Sequence, residues 1–241
     1  MNYNEYSSEL LKAFEQNGLS HLINEDAAQK LYAFSNILIQ TNKTFNLTAI
    51  TDEKEIILKH FVDCASVCEY IPRDAKLIDV GCGAGFPSIP IAILRPDVSV
   101  TPLDSTGKKI DFINLTANKL NLPNISAACA RAEEFAATHR EQFDVCISRA
   151  VARLNILDEL CVPFARKGGN FIAMKSSKGE EEYTEACSGL EKLGCVLKEN
   201  VKKSFLYNEM TIERDIYVFE KISATPTQFP RKYAQILKKP L

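Results

Sequence analysis

The chain has 241 residues, 46% of them hydrophobic and 25% charged, which suits one large globular domain or one domain with an extension. Its formal net charge of −2 excludes a general attraction to nucleic acids or membranes, so any site for a polyanion must come from local clusters of basic residues. No apolar run reaches ~18 residues, which excludes a helix that spans a bilayer.

The first 75 residues are predicted to be helical. The stretch NEDAAQKLYAFSNILIQTN places Leu31, Phe34 and Leu38 on one face with the spacing of an amphipathic helix, and Asn24 is a suitable N-cap. The chain begins MNYNEYSSELLKAFEQ, without the basic start and apolar stretch of a signal peptide. We therefore expect a cytoplasmic protein with an N-terminal helical extension over 1–75.

From residue 76 onward, short apolar runs alternate with helical patterns. Runs that predict strands lie at 76–81, 98–104, 124–130, 143–148 and 169–175. Helical patterns lie between them at 87–94, 106–120, 153–165 and 178–193. This alternation is typical of a parallel sheet covered by helices on both faces. Two later runs, 195–205 and 213–222, are separated by only a turn, so we predict a mostly parallel seven-stranded α/β sheet with an antiparallel end.

The final segment has a different composition. Residues 223–241 include four basic residues and no acidic one, and they end in FPRKYAQILKKPL. We therefore divide the chain into a helical extension (1–75), an α/β domain (76–222) and a basic C-terminal tail (223–241).

Cysteine usage bears on metal sites and disulfides. The chain has eight cysteines, none in a C-x-x-C pair, and several, such as Cys129 and Cys146, fall inside apolar runs. Buried, reduced thiols are favoured over disulfides or a zinc site, so we expect no metal.

Three glycines, Gly81, Gly83 and Gly85, follow the first predicted strand and precede a helix. Glycine permits unusual backbone angles and lets a ligand approach the main chain, and ligands bind at this end of an open α/β sheet. The spacing G-x-G-x-G, followed by Phe86, departs from the dinucleotide fingerprint, and there is no P-loop Lys-Ser pair. The pattern favours a nucleoside cofactor without phosphates, most commonly S-adenosylmethionine. A tight turn without a ligand is the alternative.

Acidic residues near the ends of the strands support a nucleoside site. Asp104 ends the second strand, 19 residues after Gly85, where it can accept hydrogen bonds from both ribose hydroxyls or cap the next helix. Ala132 and Glu133 follow the third strand and could frame an adenine, although Glu133 could equally be a solvated acid in a first helical turn. Asp79 could reach the amides of the glycine loop or the amino group of the cofactor.

Six stretches together resemble one family: NLTAITDEKEIILKHFVDC, LIDVGCGAGFPSIPIAI, LDSTGKKIDFI, ARAEEF, FDVCISRAVARL and FPRKYAQILKKPL. From about residue 26 to the end, the chain is similar to the RsmG (GidB) family of bacterial ribosomal small-subunit RNA methyltransferases, which have the class I Rossmann-like fold. The resemblance implies S-adenosylmethionine as cofactor and methylation of N7 of a guanine. The implied substrate is 16S ribosomal RNA or a small-subunit assembly intermediate.

The resemblance also implies roles for individual residues. Besides Asp104 on the ribose, the implied cofactor contacts are Gly81, Phe86, Ala132, Glu133 and Arg149. Asp63 and Arg149 are expected to orient the reactants, since N7 carries a free lone pair and needs no general base. The residues expected to face the RNA are Asn46, Lys59, His60, Lys108, Lys109, Arg153, Arg231 and Lys232.

The sequence departs from the family pattern in places, and other functions remain open. Ser88 stands where a glycine often follows G-F-P, and Ala234 and Ile236 replace a glycine and a proline of the tail. One alternative is a small-molecule class I methyltransferase with the helical extension as a lid, and the basic tail argues against it. The other is an RNA-binding module without catalysis, and the intact set of glycines with Asp79 and Asp104 argues against that.

Overall fold

The computed structural model describes residues 1–149, 151–176 and 179–241. Within these ranges one sheet contains β1 (Lys76–Val80), β2 (Ser99–Asp104), β3 (Ala128–Cys129), β4 (Phe143–Arg149), β5 (Ala165–Lys175), β6 (Cys195–Tyr207) and β7 (Met210–Lys221). The strand order is β3-β2-β1-β4-β5-β7-β6. Strands β1 to β5 pair in parallel, and β7 runs antiparallel to β5 and β6. The predicted seven-stranded α/β sheet with an antiparallel end is confirmed.

The helices of the described chain are α1 (Tyr3–Gln16), α2 (Glu25–Asn42), α3 (Glu53–Ile56), α4 (Asp63–Ala65), α5 (Ser88–Leu94), α6 (Gly107–Lys119), α7 (Ala132–His139), α8 (Leu154–Cys161), α9 (Gly179–Lys192) and α10 (Tyr233–Lys238). A π-helical segment, Ile57–Val62, joins α3 to α4. Such segments recur at functional sites. The predicted cap of α2 is confirmed, because Asn24 Oδ1 accepts a hydrogen bond from Ala27 N at 2.9 Å.

Two apolar clusters cover the two faces of the sheet, because successive side chains of a strand point to opposite faces. Leu77 of β1 packs in one cluster with Leu10 of α1 and Leu31 of α2, all 0% exposed. The next residue, Ile78, packs in the other cluster with Leu157 of α8. Residues of α1 and α2 thus share a hydrophobic core with the sheet.

The third strand and two helices differ from the predictions. The predicted strand at 124–130 is reduced to Ala128–Cys129, preceded by an isolated bridge between Ile125 and Val100 of β2. The Asn124 side chain donates to Ala92 O at 3.1 Å and to Val98 O at 3.0 Å and fixes the start of this segment. Helices α7 and α10 were not predicted. Both are short and depend on packing against the rest of the fold.

The C-terminal tail packs against the α/β domain. The Arg231 guanidinium pairs with Glu159, with NH2 at 2.5 Å from Oε2, and Arg231 N also donates to Oε1 at 2.6 Å. Arg140, at the end of α7, donates to Phe229 O at 2.5 Å and to Pro226 O at 3.0 Å. Ile236 of α10 is fully buried. These contacts determine a tail path that the sequence left undefined.

All eight cysteines lie in the described ranges; each is unpaired, and six are buried. Burial raises the pKa of Cys68 to about 12, so this thiol is protonated at neutral pH. No helix in the described ranges is both long and apolar enough to cross a membrane. In the same ranges, no three His, Cys, Asp or Glu side chains come together as a metal site requires.

Replacing Arg231 by Met should destabilise the fold, because Glu159 is 0% exposed and would lose its charged partner. Leaving one member of a buried ion pair alone costs about 3–5 kcal/mol. We expect a loss of that order in the free energy of unfolding, measured by urea denaturation at pH 7, and partial recovery in the double variant Glu159→Gln/Arg231→Met.

The matched control is Arg153→Met, because Arg153 pairs with Glu185 at 2.7 Å on the surface, where the two side chains are 46% and 41% exposed. Exposed ion pairs contribute little to stability. Equal losses for Arg231→Met and Arg153→Met would contradict the anchoring role of Glu159.

Candidate active site

The candidate site lies where the strand order reverses, at the carboxyl end of β1 between β2 and β4. Two cavities open there and share Gly81, Asp104 and Val151. The first cavity, of about 220 Å³, is also lined by Leu103, Ala130, Ala132, Glu133, Leu160 and Tyr233. The second cavity, of about 340 Å³, is also lined by Thr48, His60, Gly83, Phe86, Lys109 and Arg149.

The three predicted glycines have different roles, although all have positive φ angles: +76° at Gly81, +57° at Gly83 and +85° at Gly85. A Cβ at Gly81 would lie 2.4 Å from a methyl group of Val151, so glycine is needed for this close approach. A Cβ at Gly83 would have no neighbour nearer than 4.0 Å. At Gly85 it would lie 2.5 Å from Ile89 Cδ1, so this glycine serves the packing of α5 and lines neither cavity.

Asp104, at the end of β2, joins the two cavities. Its carboxylate is 8% exposed and accepts hydrogen bonds from Gly83 N at 3.1 Å, Thr106 N at 2.9 Å and Lys109 Nζ at 3.2 Å. A carboxylate has about four lone-pair sites. Asp104 can therefore hold the glycine loop and still accept a hydrogen bond from a ligand.

Asp79 of β1 is fully buried and lines neither cavity. Its Oδ2 accepts hydrogen bonds from Ser88 N at 3.2 Å and from Ser88 Oγ, and not from the glycine-loop amides that the sequence suggested. Its Oδ1 has no hydrogen-bond partner in the structure. Burial raises the pKa of Asp79 to about 7, against the opposing effect of the hydrogen bonds from Ser88. A contact between Asp79 and a cofactor stays a prediction.

Arg149, at the end of β4, is held by groups from the π-helical segment and α4. Its NH1 donates to Asp63 Oδ2 at 3.0 Å and to Lys59 O at 3.1 Å, and its NH2 donates to His60 Nδ1 at 3.1 Å. The guanidinium carbon lies 5.2 Å from the centre of the Phe86 ring. Its side chain is 15% exposed, so Arg149 presents a fixed edge to the second cavity.

His60 is neutral at physiological pH. Burial, followed by the charge of Arg149, lowers the pKa of His60 to about 3. Because Arg149 can only donate, His60 Nδ1 accepts its hydrogen bond and His60 Nε2 carries the proton. Nε2 lies 3.3 Å from Thr48 Oγ1 and donates to it. The ring stacks on Phe86 with centroids 4.0 Å apart. His60, predicted to face RNA, is thus 5% exposed and forms part of the cavity wall.

Asp63 was predicted to orient the reactants, and its side chain is 0% exposed and lines neither cavity. Its carboxylate lies between Arg149 and Arg214, whose Nε donates to Oδ2 at 3.2 Å. Arg214 was not singled out in the sequence. Since Asp63 contacts the cavity only through Arg149, its place in the structure is that of a positioning residue.

The remaining residues predicted to face RNA are spread over the same end of the molecule and over the tail. Lys109 pairs with Asp104, Lys59 with Glu55, Arg153 with Glu185 and Arg231 with Glu159. Lys108 lies 5.8 Å from the centre of the Phe45 ring, and Asn46, Lys108 and Lys232 are exposed. Contacts of all these residues with RNA stay predictions. The inward-facing pair of Arg231 favours an anchoring role for that residue.

The lining residues that were not predicted include Thr48, Val151, Leu160 and Tyr233. Thr48 and Val151 lie within two of the family-like stretches, NLTAI and SRAVARL, so neighbouring motif residues were a signal for them. Tyr233 likewise lies within the stretch FPRKYAQILKKPL, next to the predicted Arg231 and Lys232. Leu160 has no such signal, because it reaches the first cavity only through the packing of α8.

Replacing Asp79 by Asn should make stability less sensitive to pH. The pKa of Asp79 rises from 3.8 to about 7 on folding, so its ionisation removes stability as the pH rises through this window. The quantity to compare is the free energy of unfolding of Asp79→Asn minus that of the original protein. We expect this difference to become more favourable to the variant by roughly 3 kcal/mol as the pH rises from 4.5 to 8.

Denaturant titrations at several pH values measure this difference, with Asp111→Asn on the exposed side of α6 as the control for loss of one surface carboxylate. A difference between the Asp79 variant and the original protein that stays constant from pH 4.5 to pH 8 would rule out the raised pKa.

Known proteins resemble this chain in sequence over most of its length. A model of the GidB family, described as rRNA small subunit methyltransferase G, matches residues 27–207. Ribosomal RNA small subunit methyltransferase G of Clostridium botulinum (strain Loch Maree / Type A3) is 42% identical over 222 residues, which cover 90% of this chain and 92% of that protein. The protein of the same name from Clostridium perfringens (strain 13 / Type A) is 40% identical over 241 residues, with 98% and 99% covered.

Solved structures resemble the fold. M. jannaschii TYW2 in complex with AdoMet matches with a TM-score of 0.54 and 16% identity, covering 67% of this chain and 75% of that one. A precorrin-6y C5,15-methyltransferase from Geobacter metallireducens matches with a TM-score of 0.50 and 16% identity, covering 74% and 92%. The fold is that of class I methyltransferases, and the predicted family is confirmed. On the family match and the identity to its members, this chain belongs to the GidB family of rRNA small subunit methyltransferases.

Proposed function

We propose that this protein transfers a methyl group from S-adenosylmethionine to N7 of a guanine in 16S ribosomal RNA, free or in an assembling small subunit, in the cytoplasm. The observation that carries the proposal is the pair of joined cavities at the switch point of a GidB-family chain, with Asp104 between them. One cavity has the size and lining for a nucleoside. The other opens beside Arg149 and the exposed residues Asn46 and Lys108.

The residues present fit this cofactor. Leu103, Ala130 and Leu160 give the first cavity apolar walls for an adenine, and Glu133 offers an acceptor for its amino group. Asp104 keeps a lone pair for the ribose hydroxyls. The backbone at Gly83 borders open space in which a ligand can lie. When bound, S-adenosylmethionine supplies a methyl group on a positively charged sulfur.

The protein's contribution to the reaction is to orient the reactants. Guanine N7 has an unprotonated lone pair, so no residue has to remove a proton, and His60 is neutral with both ring nitrogens engaged. Holding two reactants in line can supply ~7–11 kcal/mol of the barrier. Three of the five N–H groups of Arg149 have partners in the structure, which leaves donors for substrate or cofactor on a fixed guanidinium.

Asp63 contributes by balancing charge. Methyl transfer leaves a positive charge on the guanine ring, and an uncompensated Arg149 beside the second cavity would oppose it. The buried carboxylate of Asp63, 3.0 Å from Arg149, offsets that charge and fixes the guanidinium. Asp63 thus supports catalysis through Arg149 without touching the base.

RNA binding falls to exposed residues around the second cavity and on the tail, since the net charge of the chain is −2. Lys108 and Lys232 are exposed cations that can contact phosphates, so affinity for RNA should fall steeply with salt. The target guanine has to leave its stack to enter the cavity, as single-stranded RNA permits.

Transfer of tritium from methyl-labelled S-adenosylmethionine tests the function directly. We expect label in the 16S RNA of small subunits from cells that lack this gene, at a guanine that becomes sensitive to N7-specific chemical cleavage. Label found only in small metabolites would favour a small-molecule methyltransferase. Absence of cofactor binding in calorimetry would favour an RNA-binding module without catalysis.

Gly83→Val should abolish measurable cofactor affinity, with a loss of at least about 100-fold by calorimetry, because Gly83 N donates to Asp104, which lines both cavities, and the added side chain would fill the open space beside this loop. The positive φ of +57° adds strain of roughly 1–2 kcal/mol, which the fold should tolerate.

The matched control is Gly18→Val. Gly18 has a φ of +71° and no atom within 4 Å of a Cβ, and it lines neither cavity. The control should lose similar stability and keep full cofactor affinity. Retained affinity in Gly83→Val would refute the role of this loop in cofactor binding.

A further inference from the structure

We propose that the C-terminal tail is part of the cofactor site and that Tyr233 contacts the adenine ring. This inference rests on the proposed function, because it assigns the first cavity to the adenine. The tail was expected to bind RNA through its basic residues. Tyr233 instead lines the first cavity together with residues of the α/β domain. One of these is Glu133, which lies 100 residues earlier in the sequence.

Tyr233 is joined by a backbone hydrogen bond to Glu133, another residue of the cavity wall. It is half-buried, and its backbone N donates to Glu133 Oε1 at 3.4 Å. Leu160 of α8 and Ala132 of α7 line the same cavity. An aromatic residue thus joins two apolar residues around a space of about 220 Å³, beside a carboxylate that can accept from an amino group.

The tail is fastened on both sides of Tyr233. Two residues earlier, Arg231 pairs with Glu159, which is 0% exposed and directly precedes Leu160 of the cavity wall. Three residues later, Ile236 is fully buried. Arg140, which follows α7, holds the tail further upstream through Phe229 O. The tail is therefore attached to the two helices, α7 and α8, that form this side of the cavity.

The chemistry of tyrosine suits an adenine, whose flat faces are apolar and whose edge is polar. Aromatic side chains gain affinity from contact with a base, and this contact tolerates phenylalanine in place of tyrosine. The neighbouring Lys232 is exposed. The tail thus combines an inward-facing cofactor contact at Tyr233 with an outward-facing cation at Lys232.

Calorimetry with two adenosine ligands tests the inference. S-adenosylhomocysteine contains the whole product cofactor, whereas 5′-methylthioadenosine keeps the adenosine and lacks the amino-acid end. We expect Tyr233→Ala to weaken both ligands by a similar factor of about 10, and Tyr233→Phe to bind both as the original protein does. Tyr233→Leu keeps an apolar side chain and should lose about threefold, which provides a second variant should the alanine variant be unstable.

Lys238→Ala, at another exposed lysine of the tail, is the matched control, and it should leave both affinities unchanged. Unchanged binding of both ligands to Tyr233→Ala and Tyr233→Leu would overturn the inference. A loss for S-adenosylhomocysteine alone would place Tyr233 at the amino-acid end and would overturn the adenine assignment. If the original protein bound neither ligand, the proposed function itself would fall, which distinguishes the two failures.

Discussion

The site depends on the Asp104 carboxylate, which ties three elements together at the switch point of the sheet. It closes β2, accepts a hydrogen bond from the glycine loop at Gly83 and pairs with Lys109 of α6. A carboxylate that is 8% exposed needs such partners, because burial of an unpaired charge is costly. The same group stands in the walls of both cavities. Asp104 therefore helps to hold the loop between the two cavities, together with the hydrogen bonds that Gly81 N and Cys82 N donate to Leu103 O.

Electrostatic compensation explains how cationic groups can line a site for a cationic cofactor. Arg149 faces the second cavity, and the buried Asp63, which it shares with Arg214, offsets part of its charge. The adjacent His60 is neutral because burial lowers its pKa. Arg149 donates hydrogen bonds to Lys59 O and His60 Nδ1 of the π-helical segment, and the His60 ring stacks on Phe86. Such an arrangement suits a reaction that needs alignment more than proton transfer.

The C-terminal tail joins the wall of the first cavity to an exposed lysine. Its backbone is held by Arg140 and by the Glu159–Arg231 pair, while Lys232 remains exposed between those anchors and α10. An element attached in this way places a cavity-lining residue and a solvent-facing cation in adjacent positions. A contact that shifts the outer side of the tail would therefore also move Tyr233 at the wall of the first cavity.

The sequence by itself determined the α/β class, the strand-loop-helix around Gly81 and the position of Asp104, because these follow from local periodicity and spacing within a few tens of residues. Only the tertiary structure decided that Gly85 packs against Ile89, that Asp79 is bound by Ser88 and that Asp63 is buried behind Arg149. It also turned Arg231 inward and brought Tyr233 to a cavity. The contacts of Asp63, Arg231 and Tyr233 join residues 86, 72 and 100 positions apart, and such pairings are set by how the helices and the tail pack on the sheet, which local patterns do not encode. The partners of Gly85 and Asp79 are only four and nine residues away, but which side chains meet there depends on how α5 packs after the loop.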